Sequence, residues 1–171
     1  MTPNPPTGLA RLGESRALWI AFVLTLLITA AFPAAAQMWS LSFVDAISDP
    51  GEVRALLATM SADQRFAHAV ITATLDVAYP LAYGALFIGS AYAFYGRFGW
   101  MLALPFVVLI ATDLLEGVVQ VLALLEVVDW IDAKAILTPL KFLLFLLGVG
   151  VMVLGWIIWL VGRFTGSASK A

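Results

Sequence analysis

An all-α, polytopic membrane protein built as a four-helix transmembrane bundle is the fold class this sequence predicts, and three observations predict it. Of the 171 residues, 63% are hydrophobic and 12% charged, with a mean hydropathy of +1.00. A soluble domain carries roughly 25% charged and about 45–50% apolar residues. The apolar residues fall into long unbroken runs rather than alternating segments of about ten, which favours helices over a β-barrel. Four such runs, at about 17–36, 66–95, 100–128 and 138–161, are each long enough to cross a hydrocarbon layer of about 30 Å.

The first 16 residues hold Pro3, Pro5, Pro6, Gly8 and Gly13, with Arg11 and Arg16 ahead of the first apolar run. That composition predicts a disordered cytoplasmic tail. Ala17 to Ala36 is the first span. Two arginines, an apolar run and Ala34-Ala35-Ala36 before Gln37 also match a secretory signal with a small-residue cleavage site. A retained helix is the preferred reading, because it completes a four-helix bundle with the three spans that follow.

Residues 37–65 form an outer segment. Asp49-Pro50-Gly51-Glu52 predicts a helix start, with Asp49 as N-cap and Pro50 at the first helical position. Val53, Leu56, Leu57 and Met60 follow at i, i+3, i+4 and i+7, an amphipathic helix suited to the membrane surface. Ser61-Ala62-Asp63-Gln64 is a capping signature that opens the second span. This span runs from Phe66 to Tyr95 and contains Asp76, Tyr79 and Tyr83 at i, i+3 and i+7. Pro80 within it removes the helical partner of the Asp76 carbonyl.

Gly96-Arg97-Phe98-Gly99 predicts a tight turn before the third span. Glu126, Asp129 and Asp132, around Trp130, fall at the outer interface where solvated acids and a tryptophan are expected. The fourth span starts at Thr138, with Thr138-Pro139 as cap and first position, or at Ala133 if Pro139 lies inside it. Residues 163–171 form a closing cytoplasmic tail, so the bundle domain is 17–162. Arg11, Arg16, Arg97, Arg163 and Lys170 fall on one side, and Arg54, Arg65 and Lys134 on the other. This bias places both termini inside and predicts a multi-pass protein of the inner (plasma) membrane.

The third span carries the unusual residues. Asp113, Glu116 and Gln120 are i, i+3 and i+7, so all three leave one helical face. Charged groups at bilayer depth turn toward the protein interior or a wet cavity. At about 1.5 Å per residue from the cytoplasmic ends, Tyr83 stands roughly 18 Å up and Asp113 roughly 20 Å. Tyr79 and Glu116 come to about 24 Å, Asp76 to about 28 Å, Gln120 to about 30 Å and Lys141 to roughly 33 Å. Groups on three helices thus reach similar levels in the outer half. Lys141 shares a stripe with Gly148, Gly155 and Gly162, spaced by sevens, which would turn it toward the carboxyls; alternatively it snorkels to the outer headgroups.

A cluster of Asp76, Tyr79, Tyr83, Asp113, Glu116, Gln120 and Lys141 admits three chemistries. It could bind or pass a small lipophilic or cationic ligand, with or without proton coupling. Asp76, Asp113 or Glu116 could act as acid or base on a membrane-soluble substrate. It could also fix helix register as a structural or assembly subunit with no ligand. No cofactor is expected. The chain has no cysteine, and its single histidine, His68, is expected at the outer interface, so a metal site has little to draw on. A net charge of −2 without a basic stripe excludes a nucleic-acid partner, leaving the lipid bilayer as the expected one. The tryptophans at span ends read as interface anchors, and no phosphate-binding glycine loop occurs.

Leu75-Asp76 with Tyr83-Gly84, then Thr112-Asp113-Leu114-Leu115-Glu116, then Leu140-Lys141-Phe142, resembles a pattern in small four-helix bacterial membrane proteins of unassigned function. That resemblance covers the last three spans and implies the architecture and a shared polar cluster, without an activity. Those proteins often carry Asn after the glutamate, where this chain has Gly117. A looser likeness is to the sterol-isomerase and sigma-2-receptor-like four-helix fold, whose histidine-and-glutamate pattern is missing here; it is an analogy of architecture.

Overall fold

The computed structural model describes residues 7–167. A short turn α1 (Thr7–Ala10) and a 3-10 turn (Arg11–Gly13) precede α2 (Ser15–Trp39), α3 (Pro50–Thr59), α4 (Ala62–Tyr95), α5 (Gly99–Leu124) and α6 (Lys134–Ser167). The described residues contain no strand. Three stretches are long and apolar enough to cross a membrane: Ser15–Trp39, Ala62–Leu124 and Ile131–Phe164. The middle stretch folds back on itself where Gly96 takes φ +52°, a conformation that favours glycine. Helices α4 and α5 therefore lie antiparallel, with Gly99 against Ala91 and Gly84 against Ile110.

Apolar packing is split in two along this hairpin. Toward the Gly96 turn lies a cluster of Tyr83, Phe87, Ile88, Ala91, Ala103, Phe106, Leu109 and Val151. At the other end Val44, Val53, Leu57, Ala69, Val119, Leu124 and Ile131 pack together. Between them, on the same two helices, runs a belt of buried polar side chains. The outer surface of the helices is largely leucine, valine, isoleucine and phenylalanine, as lipid contact requires.

The signals for α3 and for the start of α4 operate as expected. Asp49 Oδ1 accepts from the Glu52 N–H at 2.9 Å, and Pro50 occupies the first turn. Ser61 and Gln64 form a reciprocal capping box. Val53 and Leu57 bury the apolar face of α3 over the bundle end. Arg54 ties it down, reaching Asp129 at 2.8 Å and Asp132 at 3.0 Å.

Several boundaries differ from the sequence reading. Residues 7–13 make helical turns that pack on α4: Leu9 and Leu12 join the first cluster, and the Leu12 carbonyl sits in the notch at Gly89. Residues 1–6 of the expected tail, and 168–171 at the other end, lie outside the described residues. Helix α5 stops at Leu124 rather than Val128, because Glu126 turns left-handed (φ 57°). Glu126 N–H then bonds the Ala123 carbonyl and Val127 N–H the Leu122 carbonyl, which satisfies the helix end. Ser40 (φ 50°) closes α2 the same way. Helix α6 begins at Lys134 with Pro139 inside it, so Thr138 is not a cap.

Candidate functional site

The belt begins with the spacing on α5. Asp113, Glu116 and Gln120 all turn inward and are buried. On the facing α4, the Tyr83 hydroxyl donates to Asp113 Oδ2. From α6, Lys141 Nζ lies 3.0 Å from Asp113 Oδ1 and 2.5 Å from Glu116 Oε2. Lys141 thus faces the carboxyls and not the headgroups. Its glycine stripe explains why: Gly148 and Gly155 receive the rings of Phe87 and Phe94 from α4, which turns this face of α6 inward. Gly162 has nothing within 4 Å.

Other members were not foreseen. Lys134, expected in an outer loop, has no exposed surface and donates to Glu116 Oε1. The Thr138 hydroxyl donates to the same oxygen at 2.5 Å. Lys134, Thr138 and Lys141 are i, i+4 and i+7, so helical spacing read through Pro139 would have found them. Asp45, on the loop between α2 and α3, had no periodicity to reveal it. With its amide nitrogen toward Asp45 and its oxygen toward Lys134, Gln120 bridges Asp45 Oδ1 at 3.1 Å and Lys134 Nζ at 3.0 Å. His68, expected at the outer interface, is wholly buried in the protein, edge-on to Phe43 at 5.2 Å between ring centres, with Nε2 3.9 Å from Asp45 Oδ2.

Beside this network opens a cavity of about 340 Å³. Phe32 of α2, Phe43, Asp45 and Ala46 of the loop, Asp76, Tyr79 and Tyr83 of α4, Asp113 of α5, and Lys141, Phe142 and Phe145 of α6 line it. Five of the seven sequence-predicted residues reach the cavity. Glu116 and Gln120 do not; they belong to the enclosed half, with Lys134 and Thr138. The aromatic wall is continuous, with Phe32 to Tyr79 at 5.6 Å, Tyr79 to Tyr83 at 5.0 Å and Tyr83 to Phe145 at 5.2 Å between ring centres. The Tyr79 hydroxyl also lies 3.2 Å from Thr29 Oγ1.

The cavity lies between α2 and α6. These helices touch where Trp19 meets Trp156 edge-on at 6.3 Å, and neither packs along the length of the other. Phe142, at this gap, is 44% exposed. On the loop side, burial works against ionisation of Asp45. The neighbouring His68 ring and the ammonium groups of Lys141 and Lys134 outweigh it and hold the carboxyl at about 2.

Chemically, the arrangement offers a charged floor and an apolar, ring-lined wall. Asp76 is the one carboxyl in it that meets no lysine, arginine or histidine at ion-pair distance among the described residues. Its electrostatic neighbours are Asp45, Asp113 and Lys141. No group of three or more His, Asp or Glu side chains among the described residues is arranged to hold a metal ion. No family model, curated protein or solved structure matches this chain, so its pattern likeness to small bacterial membrane proteins gains no support and the site rests on its own geometry.

Proposed function

We propose that this is a four-span inner-membrane protein, termini inside, whose outer half binds a small lipophilic or cationic ligand. Lys134 belongs to the buried network, so the loop charges become five against two and the positive-inside bias strengthens. The single observation that carries the binding reading is the ring-lined cavity with charged groups at its base. Its volume sits at the low end of the range for small-molecule sites, about 300–1,000 Å³. The gap beside Phe142 faces lipid, which suits a ligand dissolved in the bilayer. Below Tyr83 the packing toward the inner side is apolar apart from the buried Ser90 among the described residues, so binding from the outer half is favoured over passage.

The enclosed half supports a second role beside the first. Glu116 joins Lys134, Thr138 and Lys141 without reaching the cavity, an arrangement that fixes the register of α6 on α5. Acid–base catalysis has no comparable observation in its favour.

Native mass spectrometry of protein extracted from membranes tests the pocket. Wild type carries a bound small molecule, and Ala46→Trp, which fills the cavity from the loop, does not. Equal cargo on both proteins contradicts the assignment. Labelling with an impermeant maleimide tests the orientation in this cysteine-free chain. Ser48→Cys reacts in intact cells and Phe98→Cys only after permeabilisation; the reverse pattern sinks it.

A further inference from the structure

The cavity's charges favour one class of ligand, an inference that rests on the pocket reading above. Four carboxyls stand in or beside the site, on Asp45, Asp76, Asp113 and Glu116, against two ammonium groups. Both ammoniums are committed. Lys141 lies against Asp113 and Glu116, and Lys134 against Glu116. Asp76 is only 8% exposed and lines the cavity; its side-chain hydrogen-bond neighbour is the Asp45 carboxyl, and no lysine, arginine or histidine among the described residues reaches it at ion-pair distance. Asp45 comes down beside it from the loop, and the base nearest Asp45 is His68 at 3.9 Å. A buried carboxylate without a cation beside it is costly, and two neighbouring carboxyls need a shared proton or a cation between them.

We propose that the occupant is a protonated amine on a compact apolar body, its ammonium between Asp76 and Asp45 and its body against Phe32, Phe43 and Phe145. An ammonium that keeps an N–H fits best, because charge-assisted N–H bonds to carboxylate are short and strong. The rings around the cavity add cation–π attraction and apolar contact. The cavity volume suits a one-ring amine rather than a full lipid. A metal ion is a poor fit, since calcium takes six to eight oxygens and no group of three ligating side chains converges among the described residues. An anionic lipid would meet a surplus of carboxyls.

Equilibrium dialysis on the full-length protein in nanodiscs, with phenylbutylamine and its neutral counterpart phenylbutanol, tests the proposal. The amine binds at least about tenfold more tightly than the alcohol, a difference of about 1.4 kcal/mol. Asp76→Asn lowers the amine to the level of the alcohol, and Asp45→Asn, on the loop, carries the same test if the helix variant fails to fold. Asp129→Asn, at the surface pair with Arg54, keeps the preference. Equal binding of both probes, blocked by Ala46→Trp, overturns the amine assignment and leaves the pocket standing. Binding of neither probe overturns both readings. A preference that survives Asp76→Asn and Asp45→Asn removes these carboxyls from the site.

Discussion

Glu116 has no exposed surface and is met by Lys134, Lys141 and the Thr138 hydroxyl, so each of its neighbours counterbalances a buried charge. Breaking such a pair from one side leaves an uncompensated charge, which costs about 3–5 kcal/mol. Lys134→Met leaves Glu116 with Lys141 as its remaining cation, so it is expected to lose part of that in denaturation of the detergent-solubilised protein, and adding Glu116→Gln restores most of the loss. Asp76→Asn is the contrast: with no cationic partner to strand, it melts close to wild type while the preference for the amine is lost. At this scale the α5 residues could be read beforehand, because i, i+3, i+7 spacing is a property of sequence alone. Lys134 could not be placed while Pro139 was allowed to start the helix. Asp45 could not be placed at all, since a loop residue has no period that fixes its direction.

The loop between α2 and α3 is the element that closes the site, bringing Val44 into the outer apolar cluster and Asp45 to Gln120 and His68. Its grip depends on charge. The Asp45 carboxyl sits at about 2 in the folded protein against an ordinary value of 3.8. The unfolded chain therefore binds more protons between those values, and stability rises with pH across that window. Asp45 contributes fully above pH 3.8, and its contribution is lost as pH falls toward about 2. Melting curves over this range are expected to fall less steeply for Asp45→Asn than for wild type; identical slopes contradict the assigned charge environment. The start signals at Asp49 and Ser61 were readable because a cap is a local pattern with a local mechanism. The ends at Ser40 and Glu126 were not, since left-handed closure without glycine leaves no mark in composition.

Across the whole molecule, an apolar cluster near the Gly96 turn, a polar belt and an apolar cap under α3 follow one another along the α4–α5 hairpin. Hydropathy predicted the long apolar helices, because lipid contact demands uniform composition over about 20 residues. It could not predict the cavity, which arises where α2 packs on α4 and stands away from α6. The site depends on charged side chains from separate helices meeting inside the bundle. A double-mutant cycle on Asp113→Asn and Lys141→Met, read by denaturation of the purified protein, tests that meeting most directly. The pair is expected to couple by about 1–3 kcal/mol, the double variant being far less damaged than the two single losses combined. Losses that add within about 0.5 kcal/mol would mean that the two groups do not touch.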